Sequence, residues 1–117
     1  PGLMLTTDMS AFESIVTNLI ENARKYAPVQ SVISIGLSKK KDGIELMVQD
    51  EGPGIPEPEK EAVFRKFYRI GNEETRKSKG TGLGLYLVRF FVNALGGTIN
   101  VTNNGGARFT VYLPVRD

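Results

Sequence analysis

The chain has 117 residues, with 15 Lys and Arg against 13 Asp and Glu, and contains no histidine, cysteine or tryptophan. Without cysteine there is no disulfide scaffold and no thiolate zinc site, and without histidine no His base, His nucleophile or His-ligated metal within the chain. Apolar residues make up 40% and charged residues 24%, the balance of one globular domain, and a net charge of +2 gives no argument for nucleic acid. No apolar run approaches the roughly 18 residues of a membrane span, and no signal peptide is legible at the start. The chain opens Pro1-Gly2 without an initiator methionine, so we expect a piece of a longer protein.

Met4-Leu5-Thr6 reads as a short strand, with Asp8 as N-cap of the helix that follows. That helix is expected to run to about Tyr26 and stop at Pro28. Phe12, Ile15, Val16, Leu19, Ala23 and Tyr26 recur at three- and four-residue spacing as one apolar stripe. Ile33, Ile35 and Leu37, then Ile44, Leu46 and Val48, alternate around a turn ending in Asp42-Gly43, which predicts an antiparallel hairpin with one face buried. Residues 50–57 form a Gly-, Pro- and acid-rich loop. Glu57 to about Phe67 can make a short helix, with Pro58 in its first turn. Ile70–Lys79 carries the charges Glu73, Glu74, Arg76, Lys77 and Lys79 and reads as a surface loop. A second helix spans about Leu83–Leu95, closed by Gly96-Gly97, and Thr98–Thr102 with Ala107–Leu113 form a final hairpin. The order predicts a two-layer α/β (α+β) sandwich, a mixed and mostly antiparallel sheet with helices on one face.

Three groups of polar residues stand against this pattern. On the first helix Asn18, Asn22 and Lys25 fall within roughly 60° of arc beside the stripe. They are either a polar flank or a site for a metal-bound polyphosphate, since Asn oxygens suit Mg²⁺ and Lys25 would neutralise phosphate. Asp50 continues the count of twos from Ile44, Leu46 and Val48, so it belongs on the inward face, followed at once by Gly52 and Gly54. A carboxylate there either caps its own turn or accepts a ligand's amino group, such as the exocyclic amine of a purine. Gly80-Thr81-Gly82-Leu83-Gly84-Leu85 leads into the second helix, either as a flexible entry or with amides aimed at phosphate. It follows a charged loop rather than a strand and lacks a Gly-Lys-Ser/Thr ending, so it is neither a dinucleotide fingerprint nor a P-loop. The second helix is apolar over most of its circumference apart from Arg89 and Asn93, so it is buried on two sides or offers a contact surface to another domain.

In order along the chain these segments resemble the ATP-binding catalytic domain of bacterial sensor histidine kinases, in the superfamily of gyrase, Hsp90 and MutL ATPases with its Bergerat-type fold. Asn18–Tyr26 looks like the family's N box, Asp50–Ile55 like its G1 box, Phe64–Arg69 like its F box and Gly80–Leu85 like its G2 box. The resemblance covers nearly the whole chain.

It implies ATP and Mg²⁺ as cofactors. Asn22 would be the main metal ligand, with Asn18 supporting it, and Lys25 would bind phosphate. Tyr26 would lie against the adenine or ribose, Asp50 would accept the adenine amino group, and Gly52, Gly54 and Ile55 would shape the adenine pocket. Gly80, Thr81, Gly82, Leu83 and Gly84 would offer amides to the phosphates, Arg69 would meet the γ-phosphate, and residues 57–80 would be the ATP lid. ATP-hydrolysing relatives carry a Glu base one helical turn before the metal-binding Asn; here that position is Asn18, which cannot take a proton. Glu51 stands where many relatives have Asn. The expected function is donation of the γ-phosphoryl group to a histidine on a separate dimerisation domain of the same kinase, with a response regulator downstream. The chain would be a monomeric catalytic domain, the cytoplasmic portion of a membrane-bound sensor, without the dimerising hairpin and unable to phosphorylate itself. An ATPase or serine kinase of the superfamily, or a non-catalytic protein-binding module, is the alternative.

Overall fold

The computed structural model describes residues 9–65 and 83–114. The expected first strand, the Asp8 cap, residues 66–69 of the F-box match, the charged loop and Gly80, Thr81 and Gly82 lie outside the described residues.

Helix α1 spans Met9–Tyr26, a stretch free of glycine and proline. Ala11, Ile15, Leu19 and Ala23 are its buried residues, four apart, and make one straight seam. Phe12 and Val16 pack against the core half-buried, whereas Tyr26 stands outside the apolar cluster although the spacing put it on the stripe. Arg24 and Lys25 occupy the last turn, where they offset the negative end of the helix.

Strands β1 (Ser34–Lys40) and β2 (Gly43–Gln49) form the expected antiparallel hairpin, with Ile35 opposite Val48 and Leu37 opposite Leu46. Gly43, expected to close the turn, is already the first residue of β2, where a Cβ would lie 2.2 Å from the carbonyl oxygen of Leu113. The buried face is confined to β2. Ile35 and Leu37 remain 52% and 48% exposed, because β1 is an edge strand and no described helix covers it.

After the loop the expected helix from Glu57 to Phe67 is replaced by two 3₁₀ turns, Glu57–Glu59 and Ala62–Phe64. The bonds that form span three residues, as in Glu59 N–H to the Pro56 carbonyl at 2.9 Å. Arg65 is extended, which ends the run. Val63 and Phe64 are nevertheless buried, and the Phe64 ring meets Phe109 edge-on at 6.1 Å.

Helix α2 spans Gly84–Ala94 and buries Leu85, Val88 and Val92. Gly96, at φ +79°, closes it as expected: Gly97 donates to the Val92 carbonyl at 2.9 Å and Gly96 to that of Asn93 at 3.0 Å. Arg89 is not simply solvated. Its guanidinium lies 2.9 Å from Glu61 and 5.2 Å from the centroid of the Phe64 ring, tying the 3₁₀ segment to α2. Phe90 is 54% exposed beside Tyr86 and Phe91.

Strands β3 (Thr98–Asn103) and β4 (Ala107–Pro114) complete a sheet of order β1-β2-β4-β3, antiparallel throughout its described strands. Ile44, Leu46 and Val48 of β2, Phe109, Val111 and Leu113 of β4 and Val101 of β3 are buried with the seams of α1 and α2. Each fully buried Ile, Leu or Val contributes about 1.5–3 kcal/mol, so this layer holds the two helices in fixed relation to the sheet ends. The architecture is the α/β sandwich read from the sequence.

Candidate nucleotide-binding site

Asp50 is the one polar or charged residue among the buried ones described, 3% exposed at the end of β2. Its main chain extends the ladder, with Asp50 N–H on the Ala107 carbonyl at 3.0 Å. Its Oδ1 accepts the amides of Gly52 at 2.8 Å and Ala107 at 3.1 Å. One oxygen therefore caps its own turn, the first of the two sequence readings. The other, Oδ2, accepts no hydrogen bond from a described residue. No buried side-chain polar atom among the described residues lacks a partner, so Oδ2 reaches accessible space. A carboxylate fixed through one oxygen and open through the other is a preset acceptor for a ligand's N–H.

The glycines of this loop are required by close approach. A Cβ on Gly52 would lie 2.6 Å from the Tyr26 carbonyl oxygen, which backs the loop onto the end of α1. A Cβ on Gly106, at φ +149°, would lie 2.0 Å from the Asp50 carbonyl oxygen. Ile55 is buried, and its N–H donates to Asn103 Oδ1 at 2.9 Å while its carbonyl accepts from Asn103 Nδ2 at 2.9 Å. Glu51 is exposed, and its carboxylate accepts the Val32 amide at 3.1 Å.

Along α1, Asn18 Nδ2 donates to the carbonyl of Ser14 at 2.8 Å and to Ser14 Oγ at 3.1 Å. With its NH₂ tied back, Asn18 leaves Oδ1 on the side of α2, where a Cβ placed on Gly84 would be 3.4 Å away. Asn22 is half-buried, and its side chain makes no hydrogen bond to a described residue. Lys25 holds its ammonium 5.4 Å from the centroid of the Tyr26 ring. Leu83 and Gly84 form the entry to α2, which has no side-chain cap. The structure thus gathers Asn18 with Gly84, and Tyr26 with Gly52 and Asp50. Arg69, Gly80, Thr81 and Gly82 lie outside the described residues.

The donor set fits a Mg²⁺–polyphosphate rather than a protein-caged metal. No group of three His, Cys, Asp or Glu able to hold an ion occurs among the described residues, whereas Asn18 and Asn22, four apart and half-buried on α1, carry neutral amide oxygens. Magnesium takes few protein ligands and completes its shell with phosphate and water. Asn103, Gly106 and Ser14 were not singled out in the sequence. For Asn103 a signal existed, since Ile99, Val101 and Asn103 alternate inward as Val48 and Asp50 do. No described helix is long and apolar enough to cross a membrane.

Residues 7–117 match the family model described as histidine kinase-, DNA gyrase B- and HSP90-like ATPase. The chain is 39% identical over 120 residues to hybrid signal transduction histidine kinase D of Dictyostelium discoideum, covering 97% of this chain and 8% of that protein. Among solved structures, the mycobacterial sensor histidine kinase MprB superposes with a TM-score of 0.84 at 30% identity, over 96% of this chain and 75% of that one. The ATP-binding domain of PrrB from Mycobacterium tuberculosis gives 0.77 at 26% identity, over 100% of this chain and 76% of that one. This chain spans less than a tenth of the length of the Dictyostelium kinase. With the family model matched over nearly the whole chain and the sandwich shared with solved relatives, the chain belongs to the histidine kinase-, DNA gyrase B- and HSP90-like ATPase family, and its relatives are sensor histidine kinases.

Proposed function

We propose that the chain binds ATP with Mg²⁺ and presents the γ-phosphoryl group to a histidine on a separate dimerisation domain of its parent kinase, from which a response regulator is served. The observation that carries this reading is Asp50, buried on the sheet's inward face with Oδ1 saturated by the amides of Gly52 and Ala107 and Oδ2 left open. Oδ2 accepts the adenine 6-amino group, and Gly52, Gly54 and Ile55 let the base lie close to main chain. Tyr26 closes the base or ribose side, and its neighbour Lys25 swings its ammonium from the Tyr26 ring to the phosphates.

Asn22, with Asn18 in support, would hold Mg²⁺, which when bound neutralises and orients the phosphates. Leu83 and Gly84 at the entry to α2 would offer main-chain amides together with Gly80, Thr81 and Gly82, and Arg69 would meet the γ-phosphate. The expected ATP lid, residues 57–80, would lie over the nucleotide, with Val63 and Phe64 at its base held in the core. In the transfer a P–N bond to the imidazole forms as the bond to ADP breaks. The chain contributes alignment and charge neutralisation, worth several kcal/mol of the barrier. Asn18, already committed to Ser14, offers no base to activate water, which favours transfer over hydrolysis.

The chain acts as a single monomeric catalytic domain, one portion of a larger kinase. It uses protein and nucleotide partners rather than nucleic acid, on the cytoplasmic side of a membrane-bound sensor. Calorimetry of the isolated chain with ATP and Mg²⁺ tests the reading. Binding is expected, with no label from γ-labelled ATP retained on a chain that has no histidine. Label should pass to a dimerisation domain supplied separately. Absence of nucleotide binding, or steady hydrolysis by the chain alone, would overturn it.

A further inference from the structure

The geometry points to Asn103 as the positioning residue that holds the base-binding loop ready for nucleotide, an inference that rests on the nucleotide-binding reading above. The loop from Asp50 to Ile55 has no regular structure of its own. Its near end is fixed to β4 by the Asp50–Ala107 main-chain bond at 3.0 Å and by Asp50 Oδ1. At its far end the Ile55 side chain packs into the apolar cluster, and the main chain there is held by one side chain. Asn103, the last residue of β3, pairs its amide with both main-chain groups of Ile55, each bond at 2.9 Å, across 48 positions of sequence.

Only a side-chain amide supplies a donor and an acceptor side by side at that reach. A carboxylate would leave the Ile55 carbonyl unpaired, and an alanine would leave both groups unpaired. The neighbouring glycine is matched to this clamp. Gly54 sits at φ +82°, and a Cβ there would come within 2.7 Å of Asn103 Oδ1. Asn103 itself is exposed and stands outside the apolar cluster that takes the Ile55 side chain, so the clamp acts on the loop's main chain.

A loop whose far main chain is unclamped spends part of its time away from the conformation that aligns Asp50 and Ile55 with a base, and apparent affinity falls by the fraction lost. Removing two hydrogen bonds of ordinary strength lowers that fraction to about one tenth. The loss is confined to ligands that carry the base.

The test compares wild type, Asn103→Ala and Asn103→Asp by calorimetry with ATP·Mg²⁺, adenosine and inorganic tripolyphosphate·Mg²⁺, together with amide hydrogen exchange of the unliganded proteins. ATP and adenosine should each bind about tenfold more weakly to Asn103→Ala and by a smaller factor to Asn103→Asp, which keeps the bond from the Ile55 amide. Tripolyphosphate binding should be unchanged, and exchange should quicken at Ile55 while β2 and β4 keep their protection. Equal weakening of tripolyphosphate would make the residue merely structural and overturn the role. So would unchanged exchange at Ile55, or wild-type adenosine affinity in both variants. Failure of the wild-type chain to bind ATP would overturn the nucleotide reading and this role with it. Wild-type binding with unaltered variants overturns this role alone.

Discussion

Replacing Asp50 by Asn keeps the shape of the side chain and removes its charge. The retained amide oxygen still accepts the amides of Gly52, at 2.8 Å, and Ala107, at 3.1 Å, so neither buried donor is orphaned. Bonds to a charged acceptor contribute about 1.5–3 kcal/mol and to a neutral one about 0.5–1.5, so the pair weakens by about 2 kcal/mol. Relief of the buried charge offsets part of this, and a net destabilisation of about 1 kcal/mol is expected. The ligand suffers more. An NH₂ now stands where Oδ2 met the adenine amino group, so a charge-assisted bond of about 2 kcal/mol is lost and two desolvated donors face each other. A total of about 3 kcal/mol corresponds to roughly 150-fold weaker ATP binding. Inosine triphosphate carries a carbonyl in place of that amine and should be weakened far less. Titration calorimetry with both nucleotides at one Mg²⁺ concentration, beside urea unfolding, reads all three quantities. ATP affinity within about threefold of wild type, or an equal loss for both nucleotides, would remove Oδ2 from base recognition.

Asn22→Ala should abolish ATP·Mg²⁺ binding with little change in the urea midpoint, because that side chain makes no hydrogen bond to a described residue; wild-type affinity in calorimetry would exclude Asn22 as a ligand. Gly106→Ala puts a Cβ 2.0 Å from the Asp50 carbonyl oxygen, where only main chain could give way. It should cost more than about 3 kcal/mol, and a near-native urea midpoint would contradict the close approach. Phe64→Ala removes the ring that meets Phe109 edge-on at 6.1 Å and carries Arg89 at 5.2 Å. A loss of about 3–5 kcal/mol in urea unfolding is expected, and one below about 1 kcal/mol would contradict its burial.

Legibility in the sequence followed the strength of the local signal. The α1 seam was readable at Ile15, Leu19 and Ala23, which face a core at every turn, though not at Ala11, and Asp50 was readable because a period of two leaves a residue one choice of face. The same count reached Asn103, yet Asn103-Asn104-Gly105-Gly106 also spells a turn, and turn chemistry hid the inward side chain. The helix expected from Glu57 is cut short where Arg65 turns extended, and the residues before it close as two 3₁₀ turns, a stop that the spacing of Phe64 does not show. Ile35 and Leu37 alternate as a buried strand should. Alternation shows which face is apolar and not whether anything lies over it, and the strand order puts them on an edge. The amide pairing of Asn18 with Ser14 decides which oxygen is free, and such a bond has no signature in spacing alone.

Strand β4 is the last described element in the chain and one of the two central strands, with β2 on one side and β3 on the other. During synthesis β1 and β2 can zip into a hairpin as soon as they emerge, but the inward face of β2 then waits for Phe109, Val111 and Leu113. Asp50 waits too, since the Ala107 amide that fixes its carboxylate belongs to the same late strand. Long-range pairing of this kind is slow and keeps apolar surface uncovered while the chain grows. A ribosome stalled before Ala107 would therefore hold a chain with every box of the nucleotide site already translated and none of it assembled.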